Sequence, residues 1–245
     1  YISQLCGKDK DAVISELGEH IYCNPAKNTG GRYSGWETAE EYLSGHVRSK
    51  LALAQEAAKT DPEYERNVAA LLDNQPPRIG IEDIGFRVGT IYIEPEMFQD
   101  FVYETFQTPE WQRHRPNMRG YSKEITVNYS PEMNQWKVTN SSGMSDVLST
   151  ETYGTKRLNA YELTELLLNQ KRAVVNDYRE LPDGRTERVF NAKETILARE
   201  CQDKIEQAFH DWVMADKDRI QIIEDRFNAL FNNIKPRTYN GDYIT

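Results

Sequence analysis

The chain has 245 residues, with 30 lysines and arginines against 39 aspartates and glutamates, and a formal net charge of -9. A chain of this length can bury the core of one large domain or two modest ones. Its acidic balance argues against a domain dedicated to nucleic-acid binding, which needs a basic surface for the phosphates. A membrane span needs about 20 consecutive apolar residues, and no apolar run in the sequence approaches this length. Three cysteines are too few for a disulfide framework. We therefore expect a cytoplasmic protein without a membrane partner.

The first 36 residues predict two short helices followed by a glycine-rich arm. Asp9 precedes the second helix as an N-cap, and Val13, Leu17 and Ile21 share its inward face. This order of elements fits a partial winged helix. The exposed positions of the second helix include four acids, Asp9, Asp11, Glu16 and Glu19. Because carboxylates repel DNA phosphates, we favour a packing or interaction role for this helix over base reading.

A helical hairpin is predicted next. Thr38 and Glu41 have the spacing of a capping box, from which one long amphipathic helix is expected to run to Ala58. Asp61 followed by Pro62 starts a second helix, because proline suits the first turn and aspartate accepts from free amides. The unit has no second copy at a fixed period, which excludes a tetratricopeptide-like repeat. We interpret the hairpin as a scaffold.

Two cysteines and two histidines in this part have the residue types of a zinc site: Cys6, His20, Cys23 and His46. They contain one close pair, whereas structural zinc sites usually combine two such pairs. Because cysteine is among the most often buried residue types, we interpret these residues as structural and predict no metal.

An α+β part is predicted after the prolines at 76 and 77, which end the helical part. Ile91, Tyr92 and Ile93 predict a strand, and Pro95 starts a helix. Alternating apolar residues indicate one β-hairpin over residues 124–140, and the turn residues Pro182-Asp183-Gly184 indicate another over 174–190. Asn159 and Glu162 form a capping box for a short helix between the hairpins.

The whole pattern predicts an α+β fold with a helical N-terminal lobe, a mainly antiparallel sheet with packed helices and a C-terminal helical pair. Asn191 and Asp216 begin the two C-terminal helices, and Pro236 ends the second. We assign residues 1–76 to the helical lobe, 77–190 to an α+β lobe with two hairpins, 191–235 to a helical pair packing on the lobes, and 236–245 to a linker.

The most basic stretch of the chain interleaves cations with aromatic rings: Trp111, Arg113, Arg115, Arg119, Tyr121 and Lys123. Arginines can hold phosphates while aromatic rings stack on bases, so these six residues are the candidate nucleic-acid contact. The alternative is a solvated loop whose charges pair with nearby carboxylates. A poorer second cluster consists of Lys156, Arg157, Lys171 and Arg172.

The motifs of several enzyme classes are missing. The sequence has no phosphate-binding loop, no acidic box for magnesium, and no His-Glu-x-x-His, Gly-x-Ser-x-Gly or paired Cys-x-x-Cys motif. Asn24-Pro25 begins like the adenine methyltransferase motif, but Ala26 and Lys27 follow where that motif needs proline and an aromatic ring to stack a flipped base. We predict no catalytic residue and no cofactor in this segment.

Three parts of the sequence resemble a known family: residues 41–51 with 61–68, residues 87–93, and residues 227–241. They resemble the connecting region of very large phage and integrative-element proteins, in which an adenine-N6 DNA methyltransferase-like domain precedes a superfamily-two, Swi/Snf-like helicase. Some members are anti-restriction proteins. The resemblance implies a non-catalytic connector that positions catalytic domains, with the flanking domains of its own polypeptide and DNA as candidate partners. ATP and S-adenosylmethionine are then expected only in the flanking domains.

A freestanding enzyme is the alternative hypothesis. Its site would assemble residues that are distant in sequence, such as His114, Tyr121 and Asp177.

Overall fold

The computed structural model describes residues 2–113, 124–141, 146–182 and 185–237. The chain divides into two compact units, residues 1–80 with 227–245, and residues 81–226. The predicted α+β fold is confirmed: helices predominate, and each sheet formed by the described residues has two antiparallel strands. The four-part division predicted from the sequence remains a prediction. Among the described residues, no helix combines the length and apolar character that crossing a bilayer requires.

The first unit begins with helices α1 (Ile2–Cys6) and α2 (Lys10–Leu17), followed by strands β1 (Ile21–Cys23) and β2 (Trp36–Thr38). Asp9 caps α2 as predicted, and its carboxylate accepts from the Asp11 N–H at 3.1 Å. The prediction that Ile21 continues the face of α2 is wrong. Gly18 ends that helix with a φ of 45°, a left-handed conformation that favours glycine, and the chain then turns into β1.

The helical hairpin consists of α3 (Ala39–Tyr42), α4 (Val47–Ala58) and α5 (Glu65–Asp73). The prediction of one helix from Thr38 to Ala58 is wrong, because Gly45 has a φ of 72° and pairs its backbone with Lys235 in an isolated bridge. Thr38 occupies the N-cap position of α3, but its side chain makes no capping hydrogen bond. The predicted start at Asp61 is confirmed, since its carboxylate accepts from the Glu63 N–H at 3.0 Å.

Lys50 holds the break between α3 and α4 together. Its Nζ donates to the carbonyl oxygens of Glu41, Tyr42 and Ser44 at 2.9, 2.9 and 2.8 Å. The first two carbonyls belong to the C-terminal end of α3 and the third follows it, and a cation at this end satisfies the free acceptors and the helix dipole. Burial lowers the pKa of Lys50 below its ordinary value.

The core of the first unit contains Tyr22, Tyr42, Val47, Ala54 and Leu71. Asn67 is buried beside them and donates to the Cys23 carbonyl at 2.8 Å and to the Tyr42 hydroxyl at 3.0 Å. Burial raises the pKa of Tyr42 to about 12, so this phenol is neutral at physiological pH.

The end of the described chain belongs to the same unit. The Asn228 amide accepts from the Ile79 N–H and donates to the Ile79 carbonyl, both at 2.9 Å. Arg48 Nε donates to the Asn232 carbonyl at 2.8 Å. Residues far apart in sequence therefore meet here through side-chain to backbone hydrogen bonds.

The second unit contains α6 (Pro95–Thr105), a π-helical turn (Leu148–Thr152), α7 (Ala160–Leu168), α8 (Ala192–Met214) and most of α9 (Lys217–Phe231). The strand predicted at residues 91–93 is wrong, because the N–H groups of Thr90 and Ile93 donate to the carbonyls three residues earlier and form successive turns. Gly89 adopts a φ of 82°, and a Cβ there would lie 2.4 Å from the Leu168 carbonyl oxygen. Only glycine fits this approach to α7.

Both predicted hairpins of this unit are confirmed. β3 (Val127–Ser130) pairs with β4 (Gln135–Val138), and β5 (Asn176–Glu180) pairs with β6 (Thr186–Phe190). They form separate two-stranded sheets. The capping box of Asn159 and Glu162 and the N-cap of Asn191 are also confirmed.

Aromatic rings form the centre of the second unit. The ring centroid of Phe209, on α8, lies 5.3 Å from that of Phe98 and 5.1 Å from that of Phe101, both on α6. Trp136 of β4 meets Phe98 edge to face at 5.2 Å. Such offset and edge-to-face contacts stabilise a core beyond the burial of area alone.

Candidate nucleic-acid interface

The loop between β1 and β2, residues 24–35, forms a wing. The strands pair from Ile21 opposite Thr38 to Cys23 opposite Trp36, and the Asn24 N–H extends the pairing by donating to the Gly35 carbonyl at 2.7 Å. Gly35 has a φ of 78°, and a Cβ at this position would lie 2.9 Å from the Asn28 backbone nitrogen. The return of the wing into β2 therefore requires glycine.

Asn28 organises the interior of the wing. Its Oδ1 accepts from the Ser34 hydroxyl at 2.8 Å and from the Gly30 N–H at 3.0 Å. Its Nδ2 donates at 3.0 Å to the hydroxyl of Tyr64, which lies in the short turn before α5. One side chain thus ties the wing both to itself and to the helical hairpin, which fixes the conformation in which the wing meets solvent.

Exposed cations and one exposed ring lie together on the outside of this structure. We call Lys10, Arg32 and Tyr33 the wing surface. The Arg32 side chain is 75% exposed and Tyr33 is 45% exposed. Lys10 Nζ lies 4.7 Å from the centroid of the Tyr33 ring, a cation–π arrangement. This surface combines the two groups that bind nucleic acid without sequence preference, a positive charge for phosphate and a ring for stacking.

Carboxylates limit the charge of the wing surface. Arg32 Nε lies 3.1 Å from Asp11 Oδ1, but an exposed ion pair of this kind contributes little, so Arg32 can exchange Asp11 for a phosphate at small cost. Partial desolvation and then the Asp11 carboxylate raise the pKa of Tyr33, which keeps the phenol protonated. The acids of α2 that we predicted to repel phosphates therefore contribute one ion-pair partner to the wing.

A cleft of about 680 Å³ lies beside the wing, between α2 and the start of α5. Three carboxylates, Asp11, Asp61 and Glu63, line it. Arg66 also lines it, but its Nη2 donates to the Gly18 and Ile21 carbonyls at 2.8 and 2.5 Å. Arg32 of the wing surface lies at this cleft as well, so the cleft shares one of its two arginines with the wing. Because Arg66 is engaged and three carboxylates face the cleft, its interior suits a phosphate less well than the wing surface does.

The structure describes two of the six residues that the sequence analysis chose as a nucleic-acid contact. Trp111 is 62% exposed in the short turn Glu110–Gln112. Arg113 is half-buried: its Nε donates to the Thr108 carbonyl at 2.8 Å and its Nη2 to the Tyr103 carbonyl at 3.2 Å. The other four, Arg115, Arg119, Tyr121 and Lys123, lie outside the described residues. The six-residue site stays a prediction.

The described residues on either side of this basic segment lie close together. Arg113 and Ile125 form a parallel β-bridge, and the Ile125 N–H donates to the Gln112 carbonyl at 2.8 Å. The Tyr103 hydroxyl donates to the Ile125 carbonyl at 2.5 Å. The Arg113 guanidinium is therefore committed to two backbone carbonyls of its own unit.

The second basic cluster is partly neutralised. Arg157 pairs with Asp177 at 3.1 Å, and Arg172 pairs with Asp203 at 2.7 Å. The hydrogen bond that Arg172 donates to Asp203 raises the pKa of Arg172. Exposed pairs of this kind leave little net field for a polyanion.

Neither the cysteines nor the histidines named in the sequence analysis form a cluster with acidic side chains within the described residues. Within the described residues, no group of three or more histidine, cysteine, aspartate or glutamate side chains is placed to hold a metal ion. The Cys23 thiol donates to the Ser34 carbonyl at 3.5 Å. Of the residues named for an alternative enzyme, Asp177 accepts from Asn191 Nδ2 at 2.7 Å, while His114 and Tyr121 lie outside the described residues.

The pairing of β1 with β2 was missed in the sequence, although a signal for it was present. Ile21-Tyr22-Cys23 and Trp36-Glu37-Thr38 are short β-prone runs on either side of a loop rich in asparagine and glycine. Because Val13, Leu17 and Ile21 are four residues apart, we predicted that Ile21 continues the helix and not that it begins a strand. The wing, and with it Arg32 and Tyr33, was therefore absent from the predicted site.

Comparison with known families agrees with this architecture. Residues 1–37 match the model described as "Probable helicase, winged helix domain", and they contain α1, α2, β1 and the wing. Residues 87–233, more than half of the chain, match the model described as "Domain of unknown function (DUF8437)". No curated protein and no solved structure matches the chain. The N-terminal part is thus a helicase-associated winged-helix region.

Proposed function

The chain belongs to the family described as "Domain of unknown function (DUF8437)" and carries a helicase-associated winged-helix region, and from this premise we propose that it is a non-catalytic segment of a helicase that contacts DNA through the wing. The observation that carries the proposal is the wing surface, where Arg32 and Tyr33 are exposed on a loop held by Asn28. Arg32 would bind a phosphate, and Tyr33 would stack on an unpaired base or lie against a sugar.

The affinity of this contact should be low. Few cations lie on the wing surface, and the chain has a net charge of -9 that repels a polyanion at long range. Binding should therefore fall steeply with salt, as phosphate-dominated contacts do. A weak contact suits a segment that guides DNA while a neighbouring motor domain holds it.

We propose further that the parent protein is the mobile-element helicase that the sequence resembles, with a methyltransferase-like domain before this segment and the helicase motor after it. Residues 41–51, 87–93 and 227–241 support this position. The segment would then be a connector that positions the two catalytic domains, and ATP and S-adenosylmethionine would bind in those domains. The basic residues Arg115, Arg119 and Lys123, with Trp111 and Tyr121, are proposed as a second DNA contact.

A shift assay on the complete chain tests the wing. We expect the parent chain to bind single-stranded or forked DNA at about 50 mM salt, and the variant Arg32→Ala/Tyr33→Ala to bind several-fold more weakly. The salt slope should be lowered by about 0.7 on a single strand, or about 0.9 on a duplex, for the lost phosphate contact. Lys59→Ala is the matched control, because Lys59 is a similarly exposed cation of the same unit, 70% exposed and paired with Glu56. Equal losses in both variants, or no loss in the wing variant, would contradict the wing contact.

The connector role has an independent test in the reading frame of the gene. We expect an adenine methyltransferase motif upstream of residue 1 and a nucleotide-binding loop downstream of residue 245. Stop codons in frame on both sides would contradict the connector role and favour a freestanding protein.

A further inference from the structure

We propose that the outer edge of β6 is a docking site for an extended segment of another protein, which adds to the β5–β6 hairpin as a third strand. The site is distinct from the wing, and it consists of the backbone of Thr186, Arg188 and Phe190 with the side-chain face above it.

Cross-strand hydrogen bonds define which backbone groups point outward. The Leu181 N–H donates to the Arg185 carbonyl at 2.8 Å, and the Asn191 N–H donates to the Val175 carbonyl at 3.0 Å. In an antiparallel ladder, inward-bonding and outward-bonding residues alternate along each strand. The register then directs the N–H and C=O groups of Thr186, Arg188 and Phe190 away from β5. They form one regular row of donors and acceptors, which is what an added strand pairs with.

The same residues share one face with an apolar patch. Tyr178 lies opposite Arg188, and Phe190 lies opposite Asn176, so these side chains are on one side of the hairpin. Val174 is exposed, whereas its neighbours Ala173 and Val175 are buried. This alternation places Val174 on the same exposed side as Tyr178 and Phe190. The exposed fractions are 72% for Tyr178, 57% for Phe190 and 48% for Val174. Three large apolar side chains in contact with water at one place are typical of a protein contact.

Charge favours a polypeptide over a nucleic acid as the occupant. The two strands contain three carboxylates, Asp177, Glu180 and Glu187, and two arginines, Arg179 and Arg188. This balance does not attract a polyanion. The Arg188 guanidinium has a neutral partner, the side-chain amide of Asn176. In the amide orientation that satisfies the hydrogen bonds, the Asn176 oxygen accepts from Arg188 Nε at 3.1 Å and from Nη2 at 2.7 Å. A carboxylate on the incoming strand would complement it.

A second copy of the chain fits this edge poorly. Antiparallel pairing of β6 with itself, with outward-bonding residues opposite one another, centres on residue 188, 187 or 189. The first register places Arg188 opposite Arg188 and the second places Glu187 opposite Glu187, while the third places Arg188 opposite Phe190 and offers it no carboxylate. Like charges directly opposite each other destabilise a sheet. The occupant is therefore a different protein, with apolar residues at alternate positions and an acidic residue facing Arg188.

The test uses the complete chain and a fluorescent probe peptide of about seven residues, the length of an ordinary strand, with valine and threonine alternating and a central glutamate. Arg188→Pro removes an outward N–H and leaves the bonds to β5 intact, so it should weaken binding at least about tenfold. Arg188→Glu, which leaves the backbone unchanged, should weaken it to a similar extent. Glu180→Pro is the matched control, because it removes an outward N–H from the other edge of the hairpin and should bind like the parent.

Amide hydrogen exchange separates strand addition from adhesion to the apolar patch. With peptide bound, the amides of Thr186, Arg188 and Phe190 should exchange more slowly, and far-ultraviolet circular dichroism should show that each variant is folded. No binding up to about 1 mM, unchanged exchange at these amides, or equal loss in Glu180→Pro would overturn the proposal. Competition by oligothymidine would assign the edge to nucleic acid instead, and a dimer of the parent chain abolished by Arg188→Pro would assign it to a second copy.

Discussion

The two β-hairpins of the second unit have similar local structure and very different surroundings. In β3–β4, Val127, Trp136 and Val138 are 3%, 5% and 0% exposed. In β5–β6, all residues of β6 and the last three of β5 are exposed. Both hairpins alternate side chains in the same way, so the strand pattern alone does not decide which becomes part of a core.

The edges of the two hairpins show what makes the difference. The Trp136 N–H donates to Asn169 Oδ1 at 3.0 Å, and Asn169 Nδ2 donates back to the Trp136 carbonyl at 2.9 Å, so one amide side chain stands in for a neighbouring strand. The Val138 N–H donates to Glu165 Oε2 at 2.8 Å, and the Val127 N–H donates to Gln99 Oε1 at 3.3 Å. Within the described residues, no hydrogen bond of this kind reaches the outer N–H groups of β6.

Helices therefore cover β3–β4 in two ways, by burying its apolar face and by bonding its outer amides with side chains. An uncovered edge with a regular row of backbone donors and acceptors can pair with a strand of another chain. Natural proteins usually protect such edges. The contrast teaches that the open edge of β6 is a local property of this hairpin, since the same unit closes the edges of the other one.

The largest expected effect comes from the buried ring of the covered hairpin. Trp136→Ala should lower the free energy of unfolding by about 3–5 kcal/mol, because it removes the contacts with Phe98 and Tyr129 and leaves a cavity in the aromatic core. Equilibrium urea unfolding followed by circular dichroism measures it. A loss below about 1 kcal/mol would mean that β3–β4 is as loosely attached as β5–β6.

A smaller effect is expected from the edge of the covered hairpin. Asn169→Ala should lower the free energy of unfolding by about 1–3 kcal/mol, since it leaves the N–H and C=O of Trp136 without their partner. Thr186→Ala, at an outward-bonding position of β6, is the control and should change it by less than about 0.5 kcal/mol. Equal effects of the two substitutions would remove the distinction between the edges.

The exposed ion pair of the covered hairpin should contribute still less. Lys137 Nζ lies 3.1 Å from Glu165 Oε1, and the Lys137 side chain is 65% exposed. Lys137→Ala should therefore lower the free energy of unfolding by about 0.2–1 kcal/mol, and less at high salt. Urea unfolding at low and high salt measures both. A larger, salt-independent loss would show that the lysine stem, and not its charge, stabilises β4.

Both hairpins, the capping box at Asn159 and the N-cap at Asn191 could be predicted because their signals are local: alternation, turn residues, and a polar side chain three residues from a glutamate. The break at Gly45 could not, because its cause is pairing with Lys235, which is distant in sequence. The hydrogen bonds of Asn169 and Glu165 to β4 could not be predicted either, because these residues are also distant from β4 in sequence. The apolar run Ile91-Tyr92-Ile93 predicted a strand, but Gly89 approaches α7 with a φ of 82° and the chain continues in turns, which a pattern of apolar residues does not reveal.

The same limit applies to the candidate site. Composition and the interleaving of cations with aromatic rings predicted a nucleic-acid contact at Arg113, yet its guanidinium donates to two backbone carbonyls of its own unit. Arg32 and Tyr33 could not be predicted as a contact, because neither belongs to a basic run, and only the pairing of β1 with β2 brings them beside Lys10. Charge density along a sequence is a weak guide to charge that is free to bind a ligand.

The smallest effect on stability should come from the ring that is most exposed on the uncovered hairpin. Tyr178 is 72% exposed, so Tyr178→Ala should change the free energy of unfolding by no more than about 0.5 kcal/mol. The same substitution removes the cross-strand neighbour of Arg188 and should weaken binding of the probe peptide several-fold, because the Arg188 side chain is then held less firmly in the position where it meets the glutamate of the added strand. Unfolding and peptide titration on one preparation of each variant separate the two quantities. A large loss of stability with unchanged peptide binding would show that Tyr178 serves the fold of the hairpin itself, and the contrast between a covered hairpin and a free one would fail.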